Sequence, residues 1–270
     1  MMIKEKGSIL IFTLWVLIIL AVLSVMLSRR ASTDIKLAKY ESDNIKATYL
    51  CRAGVMKMLA ELAKGQNDND YDSLNEDWNR GEDNPKELRI AGGTIYYGAS
   101  DEMGRLNLNG VGLTKENLIN LGIDDETISG NIVKYGKDKK FEFMEELFLV
   151  DGMTREYYLQ IKDFVTIYRE NDYRVNINTA DEEVLNAVLG DEGLVTEVLD
   201  YRKGPDGDFK NIGEISTIDG LNPHSALFTV SSIFFRIWAK TSFSEGKTIV
   251  KSVEAVVDRS SGKIYHWKEF

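Results

Sequence analysis

From Ile9 to Leu27 the chain runs through nineteen residues without a charge, ILIFTLWVLIILAVLSVML, softened only by Thr13, Trp15 and Ser24. As a helix this stretch is about 28 Å long, close to the ~30 Å hydrocarbon core of a bilayer. A secretory signal has a shorter apolar region, about 7–15 residues, and a small-x-small cleavage site after it. Here Arg29 and Arg30 follow instead, so the run is expected to be kept. Lys4 and Lys6 flank one end and the two arginines the other, so the excess of basic residues that normally sets orientation is missing.

The helical pattern continues through ASTDIKLAKYESDNIKATYLCRAGVMKMLAELAKG, where Ile35, Ala38, Ile45, Tyr49, Met56, Leu59 and Ala63 recur near a 3.5-residue spacing. No proline interrupts residues 8–64, and Gly65 supplies a stop. One long helix is predicted, apolar all round in its first half and amphipathic in its second. Cys51, the sole cysteine, reads as a small packed residue and excludes an internal disulfide.

Residues 65–90 hold eight Asp or Glu against three Lys or Arg and read as a solvated connection. Asp68, Asp70 and Asp72 alternate like the first ligands of an EF-hand, but Ser73 stands at the turn glycine and Asn79 at the bidentate glutamate. No cofactor is expected, and a looser calcium site stays open. Beyond it, GGTIYYGAS (92–100) is a strand, and LFTVSSIFFRIWAK, KTIVKSVEAVVDR and GKIYHWKEF form an antiparallel meander turned at FSEG (243–246) and SSG (260–262). One strand before the middle of the chain and three after it imply that the middle is inserted into a sheet.

That middle is duplicated. GRLNLN (104–109) is echoed by YRVNINT (173–179), NIVKY by EVLDY, and FEFMEELFLVDGM (141–153) by FKNIGEISTIDGL (209–221). Matches in the same order at offsets of 66–69 residues point to two copies of one small helical unit. In the second copy Thr179 is the expected N-cap, with Glu182 as its capping-box partner. Asn107, Asn109, Asn176 and Asn178 are expected to bond to neighbouring backbone. This copy resembles the helix-hairpin-helix modules of competence DNA receptors, in which a Gly-x-Gly turn brings backbone amides to a phosphate. Here the turn reads LGDEGLV, and eleven acidic residues oppose four basic ones over 173–220, so counterion release has little to act on. The net charge of −10 agrees, and no nucleic acid is expected.

The short basic leader, Gly7 and the apolar run together resemble the class III leader of type IV pilins and type II secretion pseudopilins. DEMGRLNLN (101–109), VNINTADEEVL (175–185) and Trp78 in EDWNRG are similar to stretches of the minor pseudopilin K family. The resemblance implies an α+β pseudopilin fold, a long N-terminal helix plus antiparallel sheet, with an inserted all-helical domain of two SAM-like or helix-hairpin-helix-like repeats. It implies a leader at 1–7, an assembly helix at 8–64, a sheet region at 65–102 and 222–270, and an insert at 103–221 with repeats at about 103–153 and 172–221. Prepilin peptidase would cut between Gly7 and Ser8 and methylate Ser8. Phe12 then stands fifth in the mature chain, where most of the family carries the glutamate that pairs with a neighbour's amino terminus. Its absence is typical of the subunit proposed to cap the pseudopilus tip. The implied partners are minor pseudopilins I and J, with the helix in inner-membrane lipid before assembly and the bulk of the chain in the periplasm.

Asp101, Glu102 and Arg105, or Glu145 with Glu146, could be imagined as catalytic groups, but no convergent nucleophile or histidine accompanies them, with His224 and His266 the only two histidines. The chain is read as a non-enzyme. A membrane-tethered DNA-capturing competence or pilus protein and a plain single-pass adhesin are the competing readings.

Overall fold

The computed structural model describes residues 6–65, 70–169, 172–204, 207–243 and 249–270, with no side-chain description for residues 6–8 or 65. Helix α1 runs unbroken over Lys6–Gly65. By internal packing the chain divides into two units, Met1–Tyr49 and Leu50–Phe270.

Among the described residues, the first unit is helix alone. Its side chains from Ile9 to Leu27 face outward along their whole length, Leu10 and Leu27 being more than 70% exposed.

In the second unit, a five-stranded antiparallel sheet is formed from β1 (Lys86–Ile90), β2 (Gly93–Asp101), β7 (Phe234–Ser242), β8 (Ile249–Asp258) and β9 (Ile264–Glu269), in that spatial order. Strand β1 was not expected. Three of the five residues of its sequence KELRI are charged and three are exposed, so an edge strand here carries the same composition as a solvated connection. Strands β2 and β7 pair over Thr94↔Ser242 to Asp101↔Phe235, so residues 102–233 leave and re-enter the sheet between two hydrogen-bonded neighbours. The turn from β8 to β9 follows SSG: Asp258 accepts from the amides of Ser260 and Ser261, and Gly262 takes φ 71°. Ser244, Glu245 and Gly246 of the other expected turn lie outside the described residues.

Alternate residues of the strands, Ile95, Tyr97 and Ala99, then Phe235, Ile237 and Ala239, then Val253, Ala255 and Val257, form one buried face, as the two-residue period requires. The last turns of α1 lie on it with Cys51, Val55, Met58 and Leu62. This is not the predicted stripe, since Met56 is exposed and Leu59 half-buried. Gly54 makes the contact close: a Cβ there would lie 2.7 Å from Ile95 Cγ2 and 3.1 Å from the Ala239 Cβ. Cys51 is fully buried, its Sγ 3.1 Å from the Thr241 hydroxyl.

The inserted region contains β3 (Leu106–Asn107), α2 (Lys115–Asn120), α3 (Glu126–Asp138), α4 (Arg155–Ile161) and β4 (Val165–Thr166), then β5 (Val175–Asn176), α5 (Glu182–Leu189), α6 (Glu192–Lys203) and β6 (Phe228–Thr229). Each half closes through a two-residue parallel bridge, β3 with β4 and β5 with β6. One continuous apolar core, from Leu106 to Val230, serves both halves, and the Asn117 amide donates to the Ala187 carbonyl between them at 2.8 Å.

Candidate functional site

The duplication is visible atom by atom. In the first half the Asn109 amide donates to the Phe141 carbonyl at 2.9 Å and its Oδ1 accepts the Phe141 N–H at 2.8 Å. In the second, Asn178 makes the same pair of bonds to Phe209 at 2.8 and 2.9 Å. The Phe141 ring stacks on Tyr135 at 4.7 Å and the Phe209 ring on Tyr201 at 4.2 Å. The four asparagines do bond to backbone, and each Oδ1 of Asn107 and Asn176 caps the amide two residues on. Their decisive partners, however, lie some 30 or more residues away, so they staple each unit shut rather than shape a local turn.

The hairpin between α5 and α6 turns at Gly190, φ 64°, the place where a helix-hairpin-helix module would present amides to a phosphate. The amides at the start of α6 are already taken. Asp191 accepts from Gly193 and Leu194 at 2.8 and 3.1 Å, and in the first copy Asp125 accepts from Thr127 and Ile128 at 2.8 and 3.2 Å. A phosphate would have to displace a carboxylate at each place and meet its repulsion.

Where the insert joins the sheet, β2 ends in the buried acid Asp101 and a second buried acid, Glu102, follows it. Asp101 accepts from the Met103 amide at 2.7 Å, the Thr179 and Ser232 hydroxyls at 2.6 Å each, and the Asn176 amide at 2.9 Å. Thr179 is therefore not the helix cap expected of it. Asp181 takes the N-cap position of α5, and the threonine hydroxyl turns inward to the sheet. Burial pushes the Asp101 carboxyl above its ordinary range, against these four donors. Glu102, fully buried, is gripped by Arg236 at 2.8 and 2.9 Å and by Arg105 at 3.2 Å. Burial alone would raise its carboxyl, but Arg105 and Arg236 outweigh that and bring it down to about 2. Asp72 closes the junction, paired with Arg259 at 2.6 and 2.7 Å and accepting the Ser232 amide at 2.6 Å. Arg169, 1% exposed, donates to the carbonyls of Arg105 and Arg174 and so ties the end of one copy to the start of the next.

Sequence reading singled out Asp101, Glu102 and Arg105, but not Arg169, Ser232, Arg236 or Arg259, which are isolated in sequence and meet only through the fold. At the joint the carboxylates of Asp72, Asp101 and Glu102 each accept from buried donors, and the Ser232 and Thr179 hydroxyls are held by Asp101, an arrangement that suits a structural joint. Of the calcium candidates, Asp72 is committed to Arg259 and Asp68 lies outside the described residues; among the described residues no group of three or more His, Cys, Asp or Glu is placed to hold a metal. Gly7 lies within the helical backbone of α1, as does Ser8. Phe12 is 69% exposed on α1, one apolar residue among apolar neighbours.

Because Glu102 is held below its unfolded value near 4.3, it stabilises the fold above that pH, and this contribution is lost as pH falls through about 2. Asp101 works in the opposite sense, its cost growing as pH rises through its elevated folded value. Comparing the protein with Glu102→Gln isolates the first effect. The stability difference between them is expected to shrink by roughly 3 kcal/mol between pH 6 and pH 2, measured by urea denaturation.

No protein-family model matches the sequence, and no curated protein matches it. Among solved structures, the chain is similar to a chain in the crystal structure of the GspK-GspI-GspJ complex from the type 2 secretion system of enterotoxigenic Escherichia coli. The TM-score is 0.68 at 14% identity, covering 86% of this chain and 97% of that one. The fold is thus that of a pseudopilin, a long N-terminal helix with an antiparallel sheet, and the sheet here is interrupted by a helical insert.

Proposed function

We propose that this chain is a minor pseudopilin of a type II secretion system, placed at the tip of the pseudopilus, where it initiates or caps assembly for protein export. The observation that carries the reading is the joining of three features in one chain: an exposed apolar helix long enough to cross a bilayer, a pseudopilin sheet, and a large insert between adjacent strands. Seventeen outward apolar side chains need a cover, and lipid and sibling helices satisfy them equally, so one surface serves first as a single-pass inner-membrane anchor and later as the packing face of a fibre. Phe12 offers no carboxylate to a subunit's ammonium, which suits a position that no subunit follows. The partners in this reading are minor pseudopilins I and J and prepilin peptidase, and the bulk of the chain is periplasmic. The protein acts by assembly and not by catalysis, and no cofactor is assigned to it. The DNA-capturing alternative is disfavoured by the carboxylates that occupy the hairpin amides.

Mass spectrometry of the mature N-terminus tests the reading. The expected result is a chain beginning at N-methylated Ser8, and Gly7→Val is expected to leave residues 1–7 attached. A chain that keeps Met1 in cells with an active prepilin peptidase would refute it.

A further inference from the structure

Beyond the apolar run, the first unit carries a seven-residue pattern on α1 that its own packing leaves exposed. With Ile35 set at the first core position of a heptad, a, the core positions a and d fall on Ile35, Ala38, Ser42, Ile45 and Tyr49. All five are exposed, Ile35, Ile45 and Tyr49 by 69, 58 and 68%. Carried back toward the membrane, the same frame meets Ala31, Ser28, Ser24 and Ala21, small residues of the kind that let two helices approach closely in lipid. Carried forward, it stops at Arg52, a charge at the next d position. Leu37 and Tyr40, also exposed, fall outside the frame on the other side of the helix.

The positions bordering this stripe are charged, and sorted by sign. On one side, at g, stand Asp34 and Glu41; on the other, at e, stand Lys39 and Lys46. All four are exposed, and none is in an ion pair among the described residues. Lys36 and Asp43, the other charges of residues 31–49, both lie at b, away from the seam. In a parallel two-stranded coil the g residue of one helix faces the e residue five positions further along the other. That sets Asp34 against Lys39 and Glu41 against Lys46 of a second copy, each pair twice by two-fold symmetry. In an antiparallel coil g faces g and e faces e, so acid would meet acid and lysine would meet lysine. The segment is complementary to itself in one orientation only.

Exposed lysine–carboxylate pairs are individually weak, so they select partner and direction while the core positions supply the contact. A seven-residue repeat drifts by about 20° per heptad on a straight helix, so only a second helix that supercoils with this one can cover the stripe along its length. Residues 35–49 are short for a stable coil in water. The apolar run that precedes them compensates: two copies inserted the same way in one bilayer meet parallel, at matching depth and at raised effective concentration.

We infer that residues 35–49 of α1 pair in parallel with the same segment of a second copy of this chain while both are anchored in the membrane. This rests on the reading of the apolar run as a retained anchor, and it adds a partner that the tip assignment does not supply. The test co-expresses two differently tagged forms of the full-length chain in its native cells, each with one added cysteine, and oxidises the membranes with copper phenanthroline. Ala38→Cys and Ile45→Cys, at d, should give a disulfide-linked dimer of the two forms. Tyr40→Cys, on the far side, and the unaltered chain, whose one cysteine is the buried Cys51, should give several-fold less. Asp34→Lys with Glu41→Lys sets lysine against lysine and should cut the Ala38→Cys yield about ten-fold, the joint effect of four exposed pairs. Adding Lys39→Glu with Lys46→Glu should restore it. Equal yields at 38 and 40, no recovery on the second charge reversal, or crosslinks only to a different protein would overturn the inference. The mature N-terminus, read on the same membranes, separates this result from the assignment. No dimer from a chain that begins at Ser8 refutes the pairing alone, and a dimer of a chain that keeps Met1 supports the pairing and refutes the pseudopilin reading.

Discussion

Arg259→Ala is expected to lower the unfolding free energy by about 3–5 kcal/mol, because it leaves the Asp72 carboxylate buried without its counter-charge. Asp72 is 3% and Arg259 6% exposed, and the two hydrogen bonds between them are 2.6 and 2.7 Å long. The guanidinium also lies over the Phe235 ring at 5.1 Å, so its truncation removes packing as well as charge. Asp101 adds a second carboxylate whose field already acts on Asp72, which sharpens the penalty. A Lys at 259 keeps the charge but not the forked geometry and should recover only part of the loss. The double variant Asp72→Asn with Arg259→Met should be less destabilised than Arg259→Ala, since it removes both buried charges together. Urea denaturation reads all three, and a loss under about 1 kcal/mol in Arg259→Ala would mean that the pair is solvated and that the joint is held elsewhere.

Asn109→Ala and Asn178→Ala should each cost about 3 kcal/mol, and by the same route. Each truncation strands a buried phenylalanine N–H and C=O, those of Phe141 or of Phe209. Asn109 also donates to the Ile167 carbonyl at 2.7 Å, so the first copy should suffer slightly more. Hydrogen exchange at the Phe141 and Phe209 amides provides the site-specific readout. Protection should fall at Phe141 in the first variant and at Phe209 in the second, with a smaller effect in the opposite copy, which shares the same apolar core. Loss of protection confined to residues near 109 or 178 would return these asparagines to the local-turn role that sequence alone suggested.

Much of the candidate site could be read in advance only as chemistry and not as geometry. Asp101, Glu102 and Arg105 stood out as a charged cluster, but their partners Ser232 and Arg236 lie more than a hundred residues away and carry no local signal. Thr179 was misjudged because Thr-x-x-Glu fits a capping box, and a buried acid from another strand competed for its hydroxyl and won. On α1, spacing identified a helix but chose the wrong stripe. A helix with apolar residues on two faces gives a period without saying which face meets the sheet, and the small residues Cys51 and Gly54 decided it by permitting close approach.

Sequence by itself determined what depends on near neighbours and on composition: the uncharged run from Ile9 to Leu27, the alternating strands, and the repeat of asparagine and phenylalanine at fixed offsets. Tertiary structure decided which residues separated along the chain would meet. Strand β1 was recruited to an edge, and Asp72 was drawn into an ion pair instead of a cation loop. The physical reason is that periodicity and capping are local energies, whereas burial, desolvation and charge pairing depend on what lies across the fold.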